Sequence, residues 1–228
     1  MYPKYFTEIV ALDKQRDAAM TIVPVTDLGF ARDEYVLPAL VDELPALATA
    51  YPVVFTNHDI PVMVALTGHL RNMFISDKGD WTKDAYVPLV VRTYPFAALE
   101  DNNGDLVLCV DRKYPGIGVK GGEKIFSDKK GNFTPYGLNI AGFANTYMLS
   151  LKKTREFTRK LKDLDLLMPA EVTVTKEGAT HTFSGLNQIN FQKLSSISHE
   201  DLKGMIDSQE LYFAYLHQFS LNNFSKIV

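Results

Sequence analysis

The segment 139–168, NIAGFANTYMLSLKKTREFTRKLKDLDLLM, decides the fold class of this chain. Its apolar residues recur at steps of three and four, which is the spacing of one face of an α-helix. They are Ile140, Phe143, Ala144, Tyr147, Met148, Leu151, Phe157, Leu161 and Leu164. We therefore predict a long amphipathic helix over this segment, ended by Pro169.

The same segment carries a basic stripe, which has two interpretations. Its members are Lys152, Lys153, Arg155, Arg159, Lys160 and Lys162. They suit either a nucleic-acid-binding surface or a solvated helix face. Because the 228-residue chain has 24 basic against 27 acidic residues and a formal net charge of -3, the solvated face is the better interpretation. We expect no nucleic-acid partner.

Short strand-like runs alternate with turn residues on both sides of the helix, which predicts antiparallel hairpins. Asn103-Gly104 lies between FAAL and LVLCV, and we expect both residues to adopt the positive φ of a two-residue hairpin turn. The segment 176–178 separates two further alternating runs. The predicted fold is therefore α+β: short antiparallel β-hairpins packed against a long amphipathic helix and a C-terminal helical region.

The remaining segments complete this prediction. Residues 1–30 are expected to form an extended N-terminal arm, and residues 31–228 a single domain. A short helix broken by Pro38 and Pro45 is predicted within 35–51, and another is expected to begin at an Asp84 cap. Ser198, three residues before Asp201, indicates the start of the final helical region.

An oxygen-rich stretch around Gly104 raises the question of a metal site. An EF-hand loop with Gly104 as its sixth residue would place Leu99 and Val110 at its first and last ligand positions, where oxygen ligands are required. The stretch is therefore a turn. The histidines have no metal-ligand spacing, so we expect no metal and no cofactor. The sequence assigns no catalytic residue.

Arg92 is the first candidate for a ligand-binding residue. A planar guanidinium beside aromatic residues suits a carboxylate or a phosphate, although the same arginine also suits a structural salt bridge. We group it with residues of the neighbouring aromatic block and of the glycine-rich loop 114–124. The full candidate set is Trp81, Tyr86, Arg92, Tyr94, Gly118 and Lys120. The glycine-rich loop is otherwise a mobile surface loop.

An aromatic row lies in the C-terminal helical region, at Tyr212, Tyr215 and Phe219. Two interpretations stay open for this row. It packs in the core, or it docks on a protein partner, since aromatic residues are frequent at interfaces.

Localisation follows from the apolar runs. Charged residues interrupt the first 20 residues, so they do not form a secretory signal peptide. No apolar run reaches the roughly 18 residues that a membrane-spanning helix needs. We expect a cytoplasmic chain without membrane insertion, and surface association only through signal-independent export.

The order of motifs resembles the SapC-like family of bacterial proteins, from about Leu37 to the C-terminal helix. The most specific part is W-x-x-x-x-Y-V-P followed by R-x-Y-P-F. Its residues are Trp81, Tyr86, Val87, Pro88, Arg92, Tyr94, Pro95 and Phe96. The resemblance implies an association with a bacterial surface array, the S-layer, or an accessory role. It does not imply the peptide-transporter permease of the same name.

Two classes of function are compatible with these features. The first is a non-enzymatic binding protein, either surface-layer-associated or accessory, with a protein partner or a small anionic ligand. The alternative is an enzyme or enzyme accessory that acts on a small molecule or peptide and has an anion-binding pocket near Arg92.

Overall fold

The computed structural model describes residues 2–228. The strands in this range are β1 (Ile9–Ala11), β2 (Thr21–Ile22), β3 (Val36–Pro38), β4 (Val53–Thr56), β5 (Met63–Leu66), β6 (Phe96–Glu100), β7 (Leu106–Asp111), β8 (Glu123–Lys124), β9 (Leu167–Lys176) and β10 (Ala179–Ile189). The α-helices are α1 (Leu44–Leu47), α2 (Leu89–Arg92), α3 (Pro135–Asp163), α4 (Phe191–Leu194), α5 (His199–Asp207) and α6 (Glu210–Ser220). Short 3₁₀ helices lie at Gly29–Ala31, Val41–Glu43 and Leu221–Lys226.

The described chain divides into two compact units, each with an antiparallel sheet. The first unit contains Gly29–Pro88 and Ser150–Val228, and the second contains Tyr2–Leu28 and Leu89–Leu149. Helices and antiparallel strands occur together in this way throughout the chain, so the fold class is α+β, as predicted.

The first unit is built on a five-stranded sheet with the order β3-β5-β4-β10-β9, in which every neighbouring pair is antiparallel. Apolar side chains of its central strands are fully buried, including Val53 and Phe55 on β4. Phe157 and Leu161, from the second half of α3, belong to the same buried cluster. The predicted helix periodicity therefore places Phe157 and Leu161 in a core, whereas Phe143, on the first half of α3, is 50% exposed.

The C-terminal helices complete this core. Ser198 is the N-cap of α5, and its side chain accepts a hydrogen bond from the amide of Asp201, as the sequence predicted. On α6, Phe213 and Ala214 are buried. Core packing is thus one function of the aromatic C-terminal region.

Helix α3 begins and ends earlier than the sequence predicted. It spans Pro135–Asp163, whereas residues 167–176, which include Pro169, form β9. The chain leaves the helix at Asp165, which has a φ of 52°. The amides of Asp165 and Leu166 donate to the carbonyls of Lys162 and Leu161, which is the Schellman pattern. The helix therefore ends at this cap, and not at Pro169.

Both predicted hairpins are present, but their turns differ. Glu177 and Gly178, between β9 and β10, both have positive φ, of 52° and 81°, as a two-residue hairpin turn requires. In the loop between β6 and β7, only Gly104 has a positive φ, of 84°. There the Asp101 side chain accepts from the amides of Asn103 and Asp105. The expectation of positive φ at Asn103 was wrong, because Asp101 shapes a longer loop.

The two short helices were predicted over too many residues. Val36–Pro38 is the edge strand β3, where proline is tolerated because one side of the strand lacks a partner. Only Leu44–Leu47 of that segment is α-helical. Asp84 has a φ of 67° and does not start a helix, since α2 is confined to Leu89–Arg92.

The second unit contains the three-stranded sheet β1-β7-β6 and the two-stranded pair β2-β8. Ile22, Val110 and Ile125 are fully buried in its core. Cys109 is a buried free thiol on β7, as its strand-like neighbours indicated. Among residues 2–228, no helix combines the length and apolar character needed to cross a membrane.

Candidate functional site

A cavity of about 170 Å³ lies in the second unit. Arg92 ends α2 and is exposed, and Tyr94 follows it in the turn that leads into β6. The first half of α3 supplies one wall, with residues such as Tyr136 and Tyr147 spaced at whole helical turns. The described lining residues are Tyr2, Pro24, Val25, Arg92, Thr93, Tyr94, Pro95, Phe96, Ala97, Ala98, Tyr136, Ile140, Phe143, Ala144 and Tyr147.

Tyr2 holds one side of the cavity in place. Its hydroxyl donates to the carbonyl of Ala98 and accepts from the Ala98 amide, both at 2.7 Å. Strand β6 is at the edge of its sheet, and these two backbone groups lie on the side of β6 that has no partner strand. The Tyr2 ring stacks on Tyr147 with centroids 5.8 Å apart. Burial raises the pKa of Tyr2 to about 12, so its hydroxyl is protonated at neutral pH.

Tyr94 is held by an aromatic cage. Its ring makes edge contacts with Tyr5, Phe6 and Tyr114, with centroids 5.1–5.5 Å apart. Its hydroxyl lies 3.4 Å from a carboxylate oxygen of the buried Asp111. Burial, together with the negative charge of Asp111, raises the pKa of Tyr94 to about 12. This side chain is therefore a rigid, neutral wall of the cavity.

The buried Asp111 carboxylate is itself used by the backbone. It accepts hydrogen bonds from the amides of Thr7, Glu8 and Lys113, each 3.0 Å long. Three amide donors compensate the burial of this charge. Asp111 therefore positions Tyr94 and the N-terminal strand.

The described side chains that line the cavity are mostly apolar or hydroxyl-bearing. Arg92 is the one cationic side chain among the described lining residues, which include no carboxylate, imidazole or thiol. The remaining polar groups are hydroxyls. Over residues 2–228, no cluster of three or more His, Cys, Asp or Glu side chains is suited to hold a metal ion. The cavity thus offers apolar surface with one positive charge.

Trp81 and Tyr86, also predicted as ligand-binding residues, lie in the first unit. The indole of Trp81 donates to the Tyr51 hydroxyl over 2.9 Å, and that hydroxyl donates to the carbonyl of Tyr86 over 2.5 Å. Tyr51 is fully buried and its ring packs against Phe74. This arrangement ties the segment around Trp81 to the core of the first unit.

Gly118 and Lys120 belong to the second unit, in the loop before β8. The amide of Gly118 donates to the carbonyl of Thr21 over 2.8 Å, so it is engaged in backbone pairing. Gly122 also lies against the backbone of Ile22, where an added Cβ would be 2.8–3.0 Å from backbone atoms. Lys120 is exposed. The glycines of this loop therefore allow close backbone packing against β2.

The aromatic row of α6 faces away from the core. Tyr212, Tyr215 and Phe219 are 52%, 59% and 60% exposed. Tyr215 also contacts the ring of Phe191, with centroids 5.5 Å apart. Docking of these residues on a protein partner stays a prediction.

A family model described as SapC matches residues 12–227. The chain belongs to the SapC family. The match includes Trp81 and the R-x-Y-P-F block, whose Arg92 and Tyr94 line the cavity of this SapC-family chain. No curated protein matches the chain, and no solved structure matches it either.

Several cavity residues of this SapC-family chain were not singled out from the sequence. Tyr136 and Tyr147 lie on one face of α3, so helical spacing would have grouped them once the helix start was known. Tyr2 gives no comparable signal, because its contact with Ala98 joins residues 96 positions apart.

Proposed function

We propose that this SapC-family chain is a binding protein whose second unit takes a small anionic ligand. An apolar, ring-sized part of the ligand occupies the cavity, and its carboxylate or phosphate group lies at Arg92. The observation that carries this proposal is a single guanidinium in a lining that is otherwise aromatic, aliphatic or hydroxyl-bearing.

The size of the cavity favours a ligand with one ring. An engineered apolar cavity of about 150 Å³ holds benzene, and the volume here is about 170 Å³. Phe96 and Ala144 are buried apolar residues in its lining. Apolar surface of this kind supplies affinity, and a few placed polar groups supply orientation.

The charge of the lining favours an anion. Arg92 is exposed at the end of α2, and the lining residues that the structure describes include no acidic residue. A guanidinium presents a planar fork of N–H donors that matches a carboxylate or a phosphate. A neutral ligand of the same shape would forgo this interaction.

Binding without turnover is the simplest role for such a lining. General base catalysis needs a group that is deprotonated near neutral pH. Tyr2 and Tyr94 remain protonated there, because the pKa of each is raised to about 12. An accessory or surface-associated binding role suits this chemistry. The alternative, an enzyme that uses the same cavity, requires a base from outside the lining.

The proposal is tested with benzoate and its neutral analogue benzyl alcohol, titrated into the full chain and followed by backbone amide NMR. We expect saturable benzoate shifts in the second unit and weaker binding of benzyl alcohol. Arg92→Gln should weaken benzoate binding by about tenfold, the scale of a charged hydrogen bond. Ala144→Leu should weaken both probes by filling the cavity.

Arg159→Gln is the matched control, because it makes the same change at an exposed arginine of the first unit. It should bind benzoate like the wild-type chain. Equal benzoate affinity of the Arg92→Gln and wild-type chains would overturn the anion site. Recovery of chemically altered benzoate after long incubation would favour the enzyme alternative.

A further inference from the structure

A second cavity, of about 330 Å³, lies wholly in the first unit. Two arginines, Arg32 and Arg71, line it together with Ser76 and one acidic residue, Asp77. None of these residues belongs to the cavity described above. Two guanidiniums in one concave site concentrate positive potential that an anion can use.

The frame of this cavity is rigid because Asn72 fixes the loop that carries Arg71. Asn72 is 2% exposed, and its amide and side-chain nitrogens donate to the carbonyls of Arg32 and Ala31. Its side-chain oxygen accepts from the amide of Phe74. Residues near Arg32 and residues near Arg71 are therefore held together by buried hydrogen bonds.

The Arg32 guanidinium is held in place by two hydrogen bonds, and some of its N–H donors remain unused. Its Nη2 donates to the carbonyls of Ser76 and Asp77, each at 3.0 Å. Its Nε is buried and finds no acceptor within residues 2–228. A guanidinium has five N–H groups, so two bonds to carbonyls leave it able to bind an anion.

Ser76 adds a hydroxyl donor beside the arginines. Its Oγ accepts from the amides of Lys78 and Asp80, at 3.3 and 3.1 Å. These bonds use the acceptor side of the hydroxyl and leave its O–H as a donor. Arg71 is exposed at the rim.

We propose that this cavity is an anion-binding site that takes a phosphate group. Two guanidiniums and a hydroxyl match the oxygens and the double negative charge of a phosphate. A single-charged carboxylate is the weaker candidate, because the Asp77 carboxylate in the lining offsets one of the two positive charges. The remaining volume accommodates a group esterified to the phosphate.

The test uses inorganic phosphate and glycerol 3-phosphate, titrated into the full chain at constant ionic strength and followed by backbone amide NMR. We expect saturable shifts confined to residues 29–34 and 67–80. Arg71→Gln should lower the affinity by about tenfold. Asp77→Asn should raise it by about threefold or more, because it removes a repelling charge.

Arg159→Gln is the matched control, since it makes the same change at an exposed arginine of α3 outside this cavity. It should bind phosphate like the wild-type chain. Arg71 and Asp77 are exposed, so their variants should fold even if an Arg32 variant does not.

The source of the phosphate group follows from the two probes. Tighter binding of glycerol 3-phosphate assigns the site to a phosphomonoester, and equal binding assigns it to free phosphate. The proposal is overturned if phosphate shifts are spread over the surface without saturation. It is also overturned if Arg71→Gln and Arg159→Gln bind equally well, or if Asp77→Asn weakens binding.

Discussion

His217 donates from Nδ1 to the carbonyl of Val53 over 2.8 Å, inside the core of the first unit. The other ring nitrogen, Nε2, accepts from the amide of Ile189 over 3.1 Å. An amide only donates, so Nε2 is unprotonated and Nδ1 carries the hydrogen. Continuing the β4–β10 register of Asn187 with Phe55 would place Ile189 opposite Val53. The neutral imidazole thus takes the place of a direct backbone hydrogen bond between β4 and β10.

This relationship makes the stability of the first unit depend on pH. Burial lowers the pKa of His217 from 6.5 to about 4. Between these values the unfolded chain binds a proton that the folded chain does not. The contribution of His217 is therefore full above pH 6.5 and is lost as the pH falls to 4. A shift of this size corresponds to about 3 kcal/mol.

Urea unfolding at pH 7 and pH 4.5 measures this effect. His217→Ala should cost about 2–4 kcal/mol at pH 7, because it leaves a buried amide and a buried carbonyl without partners. The difference between wild type and variant should shrink at pH 4.5. His58→Ala, at an exposed turn histidine, is the control. An unchanged difference across this pH range would contradict the neutral imidazole bridge.

Asp17 should be a main determinant of stability in the second unit. Its side chain is 4% exposed and accepts from Arg112 at 2.6 Å and from Arg16 at 2.9 Å. Burial alone would raise the pKa of Asp17, but hydrogen bonds from Arg16 and Arg112 outweigh it and hold the pKa at about 2. A lowering of the pKa from 3.8 to about 2 corresponds to about 2 kcal/mol, and Arg16 is half exposed to solvent. Asp17→Asn should cost a similar amount in urea unfolding.

Asp17 and His217 both lose their stabilising contribution as the pH falls, but for different reasons. The folded state favours the charged form of Asp17, whereas it favours the neutral form of His217. A lowered carboxyl pKa stabilises the folded state above pH 3.8, and the contribution is lost as the pH falls towards 2. The exposed Asp33→Asn serves as control. Equal stability of both variants would show that the Asp17 pairs are not formed in solution.

The two faces of α6 should respond differently to the same substitution. Phe213 is 4% exposed and contacts Phe157, whereas Phe219 is 60% exposed. Phe213→Ala should cost about 3–5 kcal/mol through the cavity it leaves. Phe219→Ala should cost less than about 1 kcal/mol. Thermal and urea unfolding of both variants test this, and comparable losses would place Phe219 in the core.

The turn between β9 and β10 offers a stabilising substitution. Glu177 has a φ of 52°, which a glutamate side chain disfavours and an asparagine tolerates. Glu177→Asn should raise the free energy of unfolding by about 0.5–1 kcal/mol. The control is Glu171→Asn, the same change on the extended backbone of β9, which should be neutral or slightly destabilising. A loss of stability in Glu177→Asn would mean that the turn has another conformation.

Local features of the fold could be predicted because their causes are local in sequence. The periodicity of α3, the Ser198 cap and the hairpin at 177–178 all follow from residues a few positions apart. Pro38 shows the limit of such patterns. It was placed in a broken helix, but pairing of β3 with β5 makes it an edge-strand residue. Only the partner strand, which the segment itself does not contain, decides between these states.

The candidate site shows the same limit. Arg92 and Tyr94 were named from a compact motif, and both line one cavity. The contact of Tyr2 with Ala98 spans 96 positions, so no pattern along the chain shows it. Arg32 and Arg71 lie in separate segments joined through Asn72. Cavities formed by distant segments become visible only when those segments are folded together.

The seam between β4 and β10 has a consequence for folding order. The strands β3, β4 and β5 come from residues 36–66, and β9 and β10 form one hairpin from residues 167–189. The seam pairs only Leu186 with Thr56 and Asn187 with Phe55, about 130 positions apart, beside the His217 bridge. Closing so long a loop is entropically costly, whereas each half can form from nearby residues. The five-stranded sheet therefore consists of two halves, each built from residues near in sequence, and we expect the narrow pairing between β4 and β10 to form last.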